Sequence, residues 1–187
     1  MMYFQNVRGL RTKTNLFYSN LLNSNYDVIL LVETWLDQSI FDGEIFDNRF
    51  CVYRRDRVSQ RGGGVLIGIN KKFKSNLIRT HTSIEALFVK CRIFGKQYLI
   101  SAVYFKPGSD HSTYNEYFSI FEDFNAYLAD SNVIIGGDFN LPAVYGSNYD
   151  FMSGNIICQS LGEFINLYEK KREIMLSMLM GELLILF

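Results

Sequence analysis

The sequence predicts an α/β protein built on a mixed sheet, and three observations carry that expectation. Short apolar, strand-like runs alternate with helical stretches from the first residues onward. A strand-rich stretch follows from residue 50, without helices between its strands. Late in the chain the apolar run Val133-Ile134-Ile135 leads through Gly136-Gly137 to two polar groups, Asp138 and Asn140. Alternation of the two periods favours α/β layering, and consecutive strands inserted into it favour a sheet of mixed direction.

Each element has its own signal. Met2 to Val7 reads as a first strand. Residues 14–24 put Leu16, Phe17, Leu21 and Leu22 on one helical face, with Thr12 or Thr14 as the N-cap. Tyr26 to Val32 is a nearly pure apolar strand that ends at Glu33. Phe50–Tyr53, Gly64–Ile69, Ala86–Ile93 and Gln97–Phe105 have strand composition, and Phe94-Gly95-Lys96-Gln97 reads as a hairpin turn. Residues 112–129 place Tyr117, Phe118, Phe121, Phe124 and Leu128 at near-helical spacing, a core face. In the run to Asp138 the two glycines are expected to let the chain turn as the strand ends. Residues 156–170 form a last amphipathic helix.

At 187 residues the chain suits one well-buried domain, with no linker-like tract and only two prolines. Apolar residues make up 48% and aromatics 16%, which excludes a disordered chain. A formal net charge of zero excludes a global pull toward nucleic acid or membrane, so any such partner must meet a local patch. Cys51, Cys91 and Cys158 form neither a close pair nor an even set, and read as reduced residues of an intracellular protein. The N-terminus shows no secretory or transit pattern, and no window reaches the roughly 18–20 apolar residues of a membrane span. Residues 174–187 come closest, with Glu182 their only charge. The domain is therefore expected over 1–173, with 174–187 as an apolar tail that either packs as a short helix or is foreign to the fold.

Polar groups collect at four strand ends: Asn6, Glu33, Tyr104, and Asp138 with Asn140. An Asp and an Asn two apart at a strand terminus offer one anionic oxygen and one amide, able to orient a water or a phosphate oxygen. The same pair also fits a β-turn in which Asp138 caps its own backbone. Taken singly, Asn6 fits a turn, Glu33 a solvated strand end and Tyr104 strand filler. Arg54, Arg55, Arg57 and Arg61 form a basic segment, interrupted by Asp56, that suits either a nucleic-acid backbone or a solvated loop. Gly62–Gly64 are not a phosphate-binding loop, because the Lys-Ser/Thr signature is missing and a strand follows.

Six strings occur in order: Gln-Asn-Val-Arg-Gly-Leu-Arg-Thr-Lys (5–13), Asp-Val-Ile-Leu-Leu-Val-Glu-Thr-Trp-Leu (27–36), Tyr-Arg-Arg-Asp-Arg (53–57), Arg-Gly-Gly-Gly-Val-Leu-Ile (61–67), Ala-Val-Tyr-Phe-Lys-Pro (102–107) and Gly-Gly-Asp-Phe-Asn-Leu-Pro (136–142). Together they resemble the endonuclease/exonuclease/phosphatase superfamily and, within it, the apurinic-endonuclease-like domain of non-LTR retrotransposons. The resemblance implies a four-layer α/β/β/α sandwich of two mixed sheets with the active site at one rim. It implies a DNA partner, a nuclear location being compatible with this, and a divalent cation, Mg²⁺ or Mn²⁺, held by Glu33 with help from Asn6; the apolar windows, all too short for a span, predict no membrane partner. It also gives Asp138 the attacking water, Asn140 a phosphate oxygen and Tyr104 the scissile phosphate. A hard cation prefers such oxygen donors.

The chain departs from the pattern after Asn140. The family's later Asp and its terminal Ser-Asp-His triplet have no counterpart in order, so the last strands are expected to be missing and the activity weak or absent. Ser109-Asp110-His111 lies before the Gly-Asp-Phe-Asn string and leads into a helix, which makes Asp110 or Ser112 a helix cap instead. Two other readings stay open: a nucleic-acid-binding remnant without catalysis, and a phosphatase of small phosphoesters.

Overall fold

A computed structural model describes residues 1–58, 62–80, 83–128, 131–141, 155–169, 175–179 and 182–186. Among them the elements run β1 (Met2–Asn6), α1 (Thr14–Leu22), β2 (Val28–Val32), β3 (Phe50–Arg55), β4 (Val65–Asn70), β5 (Lys74–Thr80), β6 (Glu85–Ile93), β7 (Lys96–Tyr104), α2 (His111–Asp123), α3 (Asn125–Leu128), β8 (Ser131–Asp138), α4 (Ile156–Glu169), β9 (Met175–Leu179) and β10 (Glu182–Leu186). One sheet has the order β1-β2-β4-β3 and the other β5-β6-β7-β8-β10-β9. In each, one neighbouring pair is parallel, β1 with β2 and β7 with β8, and the remaining pairs are antiparallel. Both sheets are thus mixed, as expected.

Strand β2 shows how the layers arise. Its five residues, Val-Ile-Leu-Leu-Val, are all buried. Side chains alternate between faces, so Val28, Leu30 and Val32 enter the space between the sheets, where they join Val65 and Ile67 of β4 and Leu87, Val89, Ile100 and Ile134 of the second sheet. Ile29 and Leu31 point the other way, into a cluster with Leu21 of α1, Ile45, Phe46 and Phe50. The outer face of the second sheet carries Phe88, Leu99, Val133 and Ile135 under Tyr117 and Phe121 of α2 and Leu161, Phe164 and Ile165 of α4. Helix, sheet, sheet, helices: this is the four-layer α/β/β/α sandwich.

Several local expectations are corrected. Lys13 is the N-cap of α1 and makes no side-chain cap bond, so neither threonine caps that helix. Strand β5 went unanticipated because Lys-Ser-Asn-Leu-Ile-Arg-Thr is an edge strand with no fully buried residue and a bulge between Leu77 and Arg79. Gly136 and Gly137 do not turn the chain; they lie inside β8. A Cβ on Gly136 would sit 2.6 Å from Leu30 Cδ1, and one on Gly137 would sit 2.7 Å from the Val103 carbonyl oxygen. They are glycines because neighbouring strands and the facing sheet come so close. Phe94 (φ 47°) and Gly95 (φ 84°) form the hairpin between β6 and β7, a two-residue turn with both residues left-handed.

The described residues of the apolar tail, Met175–Leu179 and Glu182–Leu186, are strands and not the short helix considered for it. Strand β10 pairs antiparallel with β8, from Glu182 opposite Asp138 to Leu186 opposite Ile134, and β9 pairs with β10. The edge of β8 away from β7 is therefore occupied, although the last strands were expected to be missing. Asp110 caps α2 as expected, its side chain accepting the Thr113 N–H. The three cysteines are free, and burial pushes the Cys91 thiol up to about 11, which suits an inert core residue. Among the described residues no helix is long and apolar enough to cross a membrane.

Candidate active site

Parallel pairing puts the C-terminal ends of β1 and β2 together in one sheet and those of β7 and β8 together in the other, and the Asn6–Asp138 hydrogen bond joins the two pairs at one rim. That topology gathers Asn6, Glu33, Tyr104 and Asp138 from positions far apart in sequence. The Asn6 side-chain amide nitrogen donates to Glu33 Oε1 at 2.8 Å and to Asp138 Oδ2 at 2.9 Å. Two carboxylates bonded to a single nitrogen lie within reach of a single cation. Asn6 Oδ1 accepts the Arg8 N–H at 3.1 Å, which fixes the amide's orientation.

Strain marks the same rim. Arg8 (φ 43°), Glu33 (φ 54°), Trp35 (φ 53°) and Asn140 (φ 48°) are non-glycine residues in the left-handed region. Such conformations persist where surrounding bonds impose them. Glu33 is imposed from two sides: the Gly9 N–H bonds its carbonyl at 2.8 Å, and Thr34 and Trp35 N–H groups bond the carbonyls of Gly64 (3.2 Å) and Gly63 (2.9 Å). Gly62, Gly63 and Gly64 all have positive φ, of 98°, 66° and 85°. The triple glycine is thus the backbone mould for the Glu33 turn.

Asp138 and Asn140 form the self-capping turn that their spacing allowed, and one Asp138 oxygen still faces the rim. Asp138 Oδ1 accepts the Asn140 N–H at 3.0 Å, which is the self-capping turn, while Oδ2 faces Asn6. The Asn140 amide donates to the Phe105 carbonyl at 2.7 Å, and the Phe105 N–H bonds the Asp138 carbonyl at 3.0 Å. Burial raises the Asp138 pKa above its ordinary value; the Asn140 and Asn6 hydrogen bonds oppose that rise, and the Glu33 charge adds to it. Tyr104 lies directly opposite Asp138 across the β7–β8 ladder. Burial, with the charges of Glu33 and Asp138, raises its pKa, so the phenol keeps its proton at neutral pH.

Sequence reasoning missed Glu85, a buried carboxylate paired opposite Tyr104 in the β6–β7 ladder. It accepts the Arg57 Nε–H at 2.6 Å and the Gly64 N–H at 2.6 Å, tying the glycine run of one sheet to the other sheet. The Arg57 guanidinium sits 5.8 Å from the Tyr104 ring centroid. A charge heading the apolar run Glu-Ala-Leu-Phe-Val was the signal available for it.

The basic segment is divided by its surroundings. Arg54 bonds Asp56, Asp42 and the carbonyls of Ile40 and Asp37, so its guanidinium holds the 37–42 loop. Arg57 is held by Glu85, beside the site. Arg55 is half-buried, and burial lowers its pKa. Arg61 lies outside the described residues, as does His81. His111 Nε2 bonds Ser160 Oγ of α4 at 2.8 Å, on the helical layer.

The donor set fits a hard divalent cation. Among the described residues neither Glu33 nor Asp138 has an ion-pair partner, and the carboxylates are joined only by a neutral amide. No group of three or more His, Cys, Asp and Glu able to hold a metal occurs there either. A cation at this rim would therefore use one or two protein oxygens, with water and substrate phosphate completing its shell, which is the habit of Mg²⁺.

Comparison with known proteins bears on the fold. No curated protein matches the chain. The fold is similar to that of the endonuclease domain of TRAS1, a telomere-specific non-LTR retrotransposon, with TM-score 0.66 and 13% identity over 98% of this chain and 83% of that one. It is similar to D. rerio TDP2 complexed with a single-strand DNA product, with TM-score 0.58 and 14% identity over 99% and 82%. An AP endonuclease from Archaeoglobus fulgidus aligns with TM-score 0.55 and 15% identity over 99% and 85%. The sequence model of the endonuclease/exonuclease/phosphatase family matches residues 4–166, which contain every residue of the rim just described, and the chain belongs to that family.

Proposed function

We propose that the chain is a divalent-metal-dependent phosphodiesterase that cuts a DNA strand, in the manner of the endonucleases of non-LTR retrotransposons. The observation that carries this reading is the single Asn6 amide bridging Glu33 and Asp138. Glu33 would hold Mg²⁺ or Mn²⁺, joined by Asn6 Oδ1 once that amide has turned from the Arg8 N–H, and the cation would supply charge neutralisation at the attacked phosphate and at the leaving 3′ oxygen. Asp138, its proton affinity raised by burial, orients the attacking water and draws its proton. Asn140 keeps an amide hydrogen for a phosphate oxygen while Phe105 holds the other, and the Tyr104 phenol donates to the scissile phosphate.

A second reading, DNA binding with little or no cleavage, is favoured by one observation. Asp110 is engaged in capping α2 and His111 in bonding Ser160, so the Ser109-Asp110-His111 triplet does not serve as a phosphate-binding histidine. We infer a weak enzyme, lower by on the order of 10²- to 10³-fold for the loss of one preorganised contact. Side-by-side assays of supercoiled plasmid and a small phosphoester, with Mg²⁺, with Mn²⁺ and with chelator, separate the readings. Metal-dependent nicking of plasmid alone supports the proposal. Retained plasmid without nicks supports the second reading, and turnover of the small ester alone overturns both.

A further inference from the structure

We propose that Tyr114 is a positioning residue for the Asp138–Asn140 turn, an assignment that rests on the catalytic reading of that turn. The Tyr114 hydroxyl donates to the Phe139 carbonyl oxygen at 2.5 Å, in a place where the tyrosine is 1% exposed. That carbonyl and the Asn140 N–H belong to one peptide unit. The N–H end is held by Asp138 Oδ1 at 3.0 Å. The unit between the water-orienting and phosphate-binding residues is therefore clamped at both ends, and rotation about its neighbouring bonds would break both hydrogen bonds together.

The clamp matters because the residue after it is strained. Asn140 has φ 48°, a conformation that a flip of the preceding peptide would relieve. Without the hydroxyl, the Phe139 carbonyl is a buried acceptor lacking its partner, and turning it away becomes favourable. A flip removes the Asn140 N–H from Asp138, changes the aim of both catalytic side chains, and leaves β8 intact behind them.

The ring of Tyr114 is held independently of its hydroxyl. It stacks on Phe105 with centroids 4.1 Å apart and planes 14° apart, and Phe105 packs against Phe139 at 5.3 Å. Tyr114→Phe therefore deletes the clamp and keeps the packing. Tyr117 supplies the control: it is fully buried too, and its hydroxyl bonds Ser101 Oγ at 3.0 Å, away from the turn.

The test compares Tyr114→Phe and Tyr117→Phe in the full chain by amide hydrogen exchange and by Mg²⁺-dependent plasmid nicking. Tyr114→Phe is expected to speed exchange of the Asn140 amide about tenfold or more while the β8 amides of Val133 to Ile135 stay protected. It is expected to lower kcat by on the order of tenfold to a hundredfold with KM little changed, as for misplaced groups that act in the transition state. Tyr117→Phe is expected to lower Tm and leave Asn140 exchange and kcat as in wild type. Unchanged Asn140 exchange in Tyr114→Phe, or equal effects of the two variants, overturns the assignment. If the wild-type chain nicks nothing, the catalytic reading fails, and Asn140 exchange still decides whether Tyr114 holds the turn.

Discussion

Asp138 shows how one residue can be both a cost to the fold and the source of its chemistry. Burial raises its folded pKa above the ordinary value of 3.8. The folded state therefore binds this proton more tightly than the unfolded state does. Its contribution to stability is full below the unfolded pKa and is lost as pH rises through the folded pKa. A cation at the rim reverses that balance by favouring the charged form. A carboxyl NMR titration is expected to place Asp138 above 3.8 in metal-free protein, lower in Glu33→Gln, and lower still with saturating Mg²⁺. A midpoint at or below 3.8 without metal would contradict the burial argument. The candidate residues of the rim were legible in the sequence because each ends an apolar run: Asn6, Glu33, Tyr104 and Asp138. Glu85 and Tyr114 were not, since a charge at the head of a strand reads as its solvated end and a tyrosine on an amphipathic helix reads as core.

Among the elements, the glycine run before β4 does the most to shape the site. Gly63 has φ 66°, and a Cβ there would lie 2.2 Å from Glu85 Oε2 and 2.3 Å from an Arg57 guanidinium nitrogen. Gly95, in the exposed hairpin, has φ 84° with open space around it. Alanine at either position incurs the left-handed penalty of roughly 1–2 kcal/mol. Alanine at Gly63 must also displace a buried ion pair, worth roughly 3–5 kcal/mol when one partner is lost. Denaturant titration is expected to show Gly63→Ala destabilised by at least about 3 kcal/mol and Gly95→Ala by no more than about 2 kcal/mol. Equal effects would mean that Glu85 and Arg57 yield to the methyl group. Element order was readable from periodicity, but β5 was not, because an exposed edge strand carries no apolar alternation. The glycines of β8 were misread as a turn because close packing of sheets leaves the same mark in sequence as backbone reversal.

For the whole molecule, the backbone pairing of β10 with β8 ties the tail to the sheet that carries Asp138 and Asn140. We propose that residues 174–187 belong to the domain's cooperative unit and do not form an appendage to 1–173. Deleting them would leave β8 as an unpaired edge. The shortened chain is then expected to unfold less cooperatively and at lower denaturant, with more aggregation; improved solubility with an unchanged transition would show that the tail is dispensable. The apolar composition of the tail was plain in the sequence. Its strand character was not, since a short apolar run has no period that separates strand from buried helix.

The central claim is that the Asn6–Glu33–Asp138 rim is a metal-dependent phosphodiesterase site, and it is tested most directly by the rate of plasmid nicking against Mg²⁺ concentration for the wild-type chain beside Glu33→Ala. The account predicts slow, saturable nicking by the wild type that chelator abolishes, and a loss of at least about a hundredfold in Glu33→Ala while its circular dichroism is unchanged. Nicking that proceeds in chelator, or that survives in Glu33→Ala at the wild-type rate, would contradict it.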